Sequence, residues 1–294
     1  RLRPMDFWSA REFFPRYPAV RQVEAYACLG GMPAYLRQFN DERSIPENIR
    51  EAILEATAYL HEEPRLLLQQ ELREPRNYFS ILRSVAEGNT RLNDIVLDTG
   101  LERGTVGRYL DTLGGLDLVE REVPVTEADP SRSRRGQYRL VDPFMRFWFR
   151  YVHRYRTEIE SGTQDELLAR VVLPDLGHLV APIFEELCRA WLLRRSVHGD
   201  LPIRLKKVGR WWNAASEIDV VGLSDEGVVL GECKWSEHPV GPKVLADLQA
   251  RPFPTDMPRH YVLFSRAGFH GLKPMPGLTL VDLEALVEDR MPVR

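Results

Sequence analysis

Two short apolar segments near the C-terminal end, residues 217–221 and 228–235, constrain the fold most, because each carries acids inside a run typical of a strand. Side chains two residues apart on a strand point to the same face. Glu232 and Lys234 therefore share a face, and Asp219 lies on the preceding strand. An unpaired charge is costly in an apolar strand. The pattern predicts a polar site where the two strands meet.

The chemistry that suits these side chains is metal-assisted attack on a phosphate. A hydrated divalent cation prefers one or two carboxylates, with water and substrate phosphate completing its shell. Asp219 and Glu232 are the candidate ligands. Lys234 beside them could orient the attacking water or neutralise developing charge. The alternative is a surface hairpin that bears scattered charges.

A helix predicted over residues 178–193 contributes a further acid. At about 100° per residue its apolar side chains form one face, with Glu185 at the edge of that face and Glu186 pointing nearly opposite. The spacing therefore favours Glu185 as the glutamate that joins the site. The alternative is that both glutamates only solvate the helix.

The whole chain of 294 residues is predicted to be an α+β multidomain protein. Helical patterns fill residues 1–75, a small helical unit with a β-ribbon fills residues 76–150, and a linker helix occupies residues 151–176. Residues 177–294 alternate as αβββαβ, which predicts a mixed sheet flanked by helices. Within this last part, strands are expected over residues 203–208 and in the two acidic segments.

The unit at residues 76–150 has the element order of a winged helix. In such a fold the second helix of the helix-turn-helix enters the major groove of DNA. That helix is predicted at residues 103–113, with Arg103, Thr105 and Arg108 on its outer face.

A basic loop follows between the two predicted strands of this unit, and we expect it to be a flexible wing. Its side chains suit contact with DNA phosphates, and the candidates are Arg132, Arg134 and Arg135. The alternative is that the winged helix serves as an interdomain or protein-binding element.

Composition limits the location and the partners. A net charge of −3 gives no global nucleic-acid signature, so any basic surface must be local. Three cysteines without metal-type spacing fit a reducing cytosol. We find no apolar run approaching about 18 residues and no signal-peptide pattern, so we expect a cytoplasmic protein without membrane contact. Because the chain begins at Arg1, we also expect an upstream part to be missing.

Phe184-Glu185 on a helix, Glu217-Ile218-Asp219 on a strand and Glu232-Cys233-Lys234 on the next strand together resemble the PD-(D/E)XK nuclease superfamily. The resemblance covers about residues 177–270. It implies a restriction-endonuclease-like α/β domain, Mg²⁺ as the cofactor and DNA phosphodiester hydrolysis as the reaction. Its core site would be formed by Glu185, Asp219, Glu232 and Lys234. Gln249 matches a position that is often polar and near the site.

The wider order of segments resembles the C-terminal part of the archaeal-type P-loop ATPase family, whose last part is the DUF234 domain. The helical segment that contains Gly30-Gly31-Met32-Pro33 would then be a lid, with Gly31 and Pro33 near the nucleotide. The chain has no G-x-x-x-x-G-K-[ST] motif, so ATP is expected only through a missing upstream ATPase domain. The leading function is DNA binding with Mg²⁺-dependent cleavage. The alternative is a silent regulatory module that binds DNA or protein.

Overall fold

The computed structural model describes residues 4–72, 75–201 and 203–289. It is an α+β protein with a helical N-terminal region, a helix-turn-helix and a C-terminal five-stranded sheet with helices. Two compact units share the chain. Unit 1 comprises the described residues of Arg1–Glu122 and Gly136–Leu179, and unit 2 comprises those of Val123–Arg135 and Val180–Arg294.

Unit 1 opens with short helices and two longer ones. They are α1 (Phe7–Ala10), α2 (Ala19–Leu29), α3 (Pro33–Leu36), α4 (Ile45–Ile49) and α5 (Tyr59–Glu71). Pro33 occupies the first turn of α3, where the N–H that proline lacks would have no helical partner. Ser44 caps α4 through a capping box with Glu47. A π-helical turn at Arg50–Leu54 follows α4 and ends before α5.

The helix-turn-helix follows as α6 (Pro75–Ala86), α7 (Leu92–Thr99) and α8 (Arg103–Gly115). Strands β1 (Val119–Glu122) and β2 (Gln137–Leu140) then pair antiparallel. The three helices bury one apolar face each, and the buried side chains include Ile81, Leu82, Ile95, Val106, Leu110 and Leu113. Arg91 is the N-cap of α7 and makes no capping bond with its side chain.

The aromatic segment after β2 forms the centre of unit 1. It is α9 (Pro143–Phe147), which continues as a π-helical turn at Trp148–His153. Trp148 is buried, and its indole Nε1 donates to the carbonyl of His61 at 2.7 Å. The aromatic rings of this segment fill the core around α2 and α5.

A long helical stretch then leads from unit 1 into unit 2. After α10 (Arg156–Glu160) it runs as α11 (Gln164–Leu167), a π-helical turn and α12 (Leu173–His198). Among the described residues, this one stretch, Gln164–His198, is long and apolar enough to span a membrane by length and composition, with a mean hydropathy of 1.5 and 44% of that window buried. Core helices of soluble proteins meet the same criterion, so the signal is weak.

Unit 2 is built on one mixed sheet in the order β3-β4-β5-β6-β7. The strands are β3 (Lys207–Trp212), β4 (Glu217–Leu223), β5 (Val228–Lys234), β6 (Arg259–Ser265) and β7 (Leu278–Asp282). The first three strands are antiparallel, and β5, β6 and β7 are parallel. Helix α13 (Pro242–Ala250) joins β5 to β6, and α14 (Leu283–Val287) follows β7. The strand expected over residues 203–208 is wrong in its limits, because the buried rings of Trp211 and Trp212 hold β3 further along the chain.

The loop between β1 and β2 belongs to unit 2, and we call residues 123–135 the wing connector. Its Val125 N–H donates to the carbonyl of Arg210 at 2.8 Å, and Arg135 Nη1 donates to the carbonyl of Trp212 at 3.0 Å. These bonds engage carbonyl groups of β3, an edge strand that would otherwise be open on that side. The connector is therefore packed against the sheet and is not a free wing.

Candidate functional site

The strands β4 and β5 separate at the predicted acids. Their last paired residues are Val220 and Gly231. Beyond this pair, the backbone N–H of Cys233 donates to Asp219 Oδ2 at 2.9 Å. The carboxylate of Asp219 thus accepts a hydrogen bond that a backbone carbonyl accepts in a regular sheet. It lies beside Glu232 on the neighbouring strand. A local opening of the sheet creates room for a polar site inside an apolar pair of strands.

Glu232 is buried, with an exposed fraction of 4%, and two cations compensate its charge. Lys234 Nζ lies 2.7 Å from Glu232 Oε1, as expected for side chains two apart on one strand. Arg251, just after α13, donates Nη2 to the same oxygen at 3.0 Å and Nη1 to Oε2. A buried carboxylate held by several charge-assisted bonds is a fixed feature of the fold.

Helix α12 presents Glu185 toward the same group. Arg189 Nη1 lies 3.6 Å from Glu185 Oε2 and donates to the backbone carbonyl of Asp219 at 2.9 Å, which ties α12 to β4. Arg210 Nε on β3 lies 3.9 Å from the same glutamate oxygen. The structure thus brings the four predicted residues into one charged group. We call this group, Glu185, Asp219, Glu232 and Lys234, the acidic cluster.

The pKa values of the acidic cluster follow from burial and mutual repulsion. Burial raises the pKa of Glu185 to about 7, and the nearby charge of Asp219 adds to the rise. Burial also raises the pKa of Asp219 to about 6, with a further contribution from Glu232. Burial alone would lower the pKa of Lys234, but its bond to Glu232 brings the pKa above the ordinary value. Carboxyls that resist ionisation beside one another indicate a place where a cation would be stabilised.

The oxygen donors of the acidic cluster fit a hard divalent cation by type, because Mg²⁺ prefers carboxylates. Within the described residues, however, Glu185, Asp219 and Glu232 do not have ligand oxygens that all lie within 4.8 Å of one another. The bonds from Lys234 and Arg251 to Glu232 occupy part of the space that a metal ion would need. The acidic cluster therefore has the side chains of a metal site, but Arg251 is bonded to one of the candidate ligands, Glu232.

A group in unit 1 has potential ligand atoms that all lie within 4.8 Å of one another, namely His61, Glu62 and Glu160. The carboxylates there already carry guanidinium partners. Arg156 bonds Glu160 at 2.6 Å and Glu62 at 3.0 Å, and Arg65 bonds Glu62 at 2.6 Å. This group is accounted for as an ion-pair network between α5 and α10.

Two cysteines lie directly behind the acidic cluster. Cys188 on α12 and Cys233 on β5 are buried and hydrogen-bond to each other. Burial raises the pKa of both thiols, so thiolate formation is disfavoured. These thiols act as packing groups that hold α12 against β5.

Three arginines of the site were missed from the sequence, namely Arg189, Arg210 and Arg251. Arg189 follows Glu185 by four residues, which is the spacing of helix neighbours and was an available signal. Arg251 had no such signal, because its contact with Glu232 depends on how α13 packs. Gln249, the polar residue expected near the site on α13, is exposed.

The outer face of α8 carries the predicted DNA contacts. Arg103 and Arg108 are exposed, and Thr105 is partly buried. Arg103 bonds Asn93 on α7, and Arg108 Nη2 donates to Thr105 Oγ1 at 3.3 Å. These polar groups lie along the N-terminal half of the helix, which is the part that reaches bases in helix-turn-helix proteins.

The arginine side chains of the wing connector differ in how many bonds they make with the rest of the protein. Arg132 is 88% exposed and makes one loose pair with Asp129 at 3.4 Å. Arg134 is also exposed. Arg135 pairs with Glu127 and bonds the carbonyl of Trp212, so it serves the packing of the connector. Arg132 and Arg134 stay candidates for phosphate contact.

The two residues predicted near a nucleotide have local roles in unit 1. A Cβ at Gly31 would lie 2.0 Å from the carbonyl oxygen of Met5, so only glycine fits this close backbone approach. Pro33 opens α3. Neither role tests the predicted contact with ATP, which stays a prediction.

A first prediction concerns stability against pH. The pKa of Asp219 rises from 3.8 to about 6 on folding, and that of Glu185 rises from 4.5 to about 7. When the pKa of an acid is higher in the folded protein than in the unfolded chain, its contribution to stability is fully present below the unfolded pKa. This contribution is lost as the pH rises through about 4 to 7. Asp219→Asn should therefore raise the free energy of unfolding at pH 8 by roughly 2 kcal/mol.

The measurement is denaturant unfolding of wild type and Asp219→Asn in EDTA at pH 4 and pH 8. The asparagine can still accept the Cys233 N–H through its amide oxygen. The difference between the two proteins should shrink at pH 4, where the wild-type carboxyl is protonated. Equal stabilities at pH 8 would show that Asp219 is not electrostatically strained.

Two known families match parts of this chain. Residues 76–123 match the IclR helix-turn-helix domain. Residues 148–245 match DUF234, a family described as "Archaea bacterial proteins of unknown function". The helix-turn-helix indicates DNA binding.

A curated relative extends the similarity. An uncharacterised protein of Methanocaldococcus jannaschii is 29% identical over 241 residues, which cover 81% of this chain and 53% of that protein. The chain thus spans about half the length of this relative. No solved structure matches the chain significantly. The chain contains an IclR-type helix-turn-helix followed by a DUF234 domain.

Proposed function

We propose that this protein binds DNA through its helix-turn-helix and hydrolyses DNA phosphodiester bonds at the acidic cluster with a divalent metal ion. The observation that carries the proposal is the junction of β4 and β5. There the carboxylate of Asp219 is fixed by the Cys233 N–H, beside the Lys234–Glu232 pair. The resemblance to PD-(D/E)XK nucleases assigns these same residues.

The roles follow from the chemistry of each side chain. Asp219 and Glu232 would hold Mg²⁺, which supplies Lewis-acid stabilisation of the phosphate when bound. Lys234, partly exposed and positively charged, would orient the attacking water and stabilise the charge that develops on the phosphate. Glu185, whose pKa is raised to about 7, would accept a proton from that water near neutral pH.

A second candidate function is that of a catalytically silent DNA- or protein-binding regulator. The contact that favours it is the ion pair of Arg251 with both oxygens of Glu232, since this pair satisfies the carboxylate without a metal. A silent nuclease-like domain would then stabilise the chain and present a binding surface.

Both candidate functions, nuclease and regulator, include coupling to an upstream ATPase. The resemblance to the archaeal-type ATPase family supports it, and the helices around Gly31 and Pro33 would then receive the nucleotide signal. ATP would act on this chain only through that partner.

The test is a cleavage assay over duplex, single-stranded and branched DNA, with Mg²⁺ or Mn²⁺ titrated from zero. Nicking that requires the metal and disappears in Asp219→Ala supports the nuclease. DNA binding of equal affinity in wild type and Asp219→Ala, without cleavage of any substrate, supports the regulator. Absence of both binding and cleavage would leave the protein-binding role.

A further inference from the structure

Arg251 is the best-anchored cation around the acidic cluster. Its backbone N–H bonds the carbonyl of Leu248 at the end of α13. Two residues later, the buried ring of Phe253 packs edge-on against Trp211, with ring centroids 5.3 Å apart. The backbone around Arg251 is therefore held on both sides.

The guanidinium joins two strands at the point where they separate. Its Nη1 donates to the carbonyl of Glu217 on β4 at 2.9 Å and to Glu232 Oε2 on β5, and its Nη2 donates to Glu232 Oε1 at 3.0 Å. Lys234 Nζ takes a further position on Oε1 at 2.7 Å. Glu232 therefore has a cation on each oxygen.

A divalent ion bound to Glu232 would lie only a few ångströms from this guanidinium. Like charges that close repel strongly in a partly buried site, so the two cations compete for the same carboxylate. The Arg251 side chain keeps a quarter of its surface exposed, which gives it room to turn toward solvent. A planar guanidinium with several donors is well suited to bind a phosphate in two-pronged fashion.

The geometry points to Arg251 as a resident counter-cation of the acidic cluster, which a divalent metal displaces from Glu232 and which then binds a phosphate of the DNA backbone. This inference rests on the proposed nuclease function. It assigns to Arg251 a positioning and substrate-binding role that the sequence motif does not contain.

A purely structural arginine would behave in the opposite way. If Arg251 served to hold Glu232 in the orientation that binds metal, its removal would weaken metal binding. If it is a competitor of the metal, its removal strengthens metal binding, because a repelling charge leaves the site. The sign of the change in metal affinity therefore separates the two roles.

The experiment is calorimetric titration of Mn²⁺ into the full chain, first stripped with EDTA. Wild type is compared with Arg251→Met, which keeps the length of the side chain and removes the charge. The matched control is Arg266→Met, since the Arg266 side chain stacks on Trp235 and pairs with Glu237, and not with Glu232. We expect Mn²⁺ to bind at least about tenfold more tightly to Arg251→Met and within about twofold of wild type in the control.

Arg251→Lys separates charge from shape and covers the case in which Arg251→Met fails to fold. Lysine keeps the charge but lacks the fork, so its Mn²⁺ affinity should stay within about threefold of wild type. Binding of a short duplex in Ca²⁺ should weaken by about fivefold or more in both Arg251 variants and stay unchanged in Arg266→Met.

Each outcome decides the inference. Mn²⁺ affinity that is equal or weaker in Arg251→Met overturns the counter-cation role and leaves the nuclease proposal standing. Mn²⁺ affinity that rises without any loss of duplex affinity overturns the phosphate-binding step. No uptake of Mn²⁺ by wild type or any variant overturns both this inference and the metal-dependent function.

Discussion

Lys234→Met is expected to lower the rate of Mg²⁺-dependent DNA cleavage by about 10² to 10³-fold, because it removes the ammonium that faces the carboxylates of the acidic cluster. In the structure, Lys234 Nζ lies 2.7 Å from Glu232, and the charge of Asp219 also acts on it. Methionine keeps much of the apolar stem of the side chain and removes its charge. The loss should therefore appear in the chemical step, as a lower kcat with little change in KM.

The matched control is Lys243→Met on α13, which removes an exposed lysine of the same domain and should leave cleavage unchanged. Single-turnover assays at saturating Mg²⁺ separate the chemical step from DNA binding. Lys234→Met should keep the DNA affinity of wild type within about twofold, since a single charge contributes little to binding. Equal cleavage rates in Lys234→Met and wild type would remove Lys234 from the reaction, and equal losses in both lysine variants would indicate a general charge effect.

The acidic cluster could be predicted from the sequence because each part of it obeys a short-range rule. Alternation along a strand places Glu232 and Lys234 on one face, and helix spacing directs Glu185 toward the sheet. The apolar residues around Asp219 show that its strand is buried, and a buried acid needs partners. These local rules fix direction and burial without knowledge of the tertiary fold.

The contacts that the sequence did not indicate are long-range. The pair of Arg251 with Glu232 joins residues nineteen apart, and it forms because α13 returns the chain to the end of β5. The bond of Val125 to Arg210 likewise crosses from the wing connector to β3. No periodicity encodes such contacts, since they depend on how completed elements pack.

The position of β3 differs from the one that the sequence predicts. A strand is expected over residues 203–208, but the structure begins β3 at Lys207. The rings of Trp211 and Trp212 are buried in the sheet, and burial of their apolar area stabilises the strand at this position. Burial of large aromatic rings decided the register of this edge strand.

Replacing both Arg103 and Arg108 by alanine is expected to weaken binding to duplex DNA by about tenfold or more at moderate salt, and to reduce the salt slope of the affinity by nearly 2. Both side chains are exposed on α8, in the part of the helix that enters the major groove in proteins of this type. Gly104 and Gly107 on this helix have no neighbouring atoms within 4 Å of an added Cβ, so the backbone itself is open to close approach by DNA. Fluorescence anisotropy at several salt concentrations measures both quantities.

The control for this pair is Arg37→Ala, which removes an exposed arginine outside the helix-turn-helix and should change neither quantity. Arg132→Ala with Arg134→Ala tests the wing connector separately. Because the connector is packed on β3 through Val125 and Arg135, we expect a smaller loss of affinity, about threefold, from that pair. A larger loss from the connector than from α8 would assign the main phosphate contacts to the loop. Unchanged affinity in both pairs would mean that the helix-turn-helix binds protein in place of DNA.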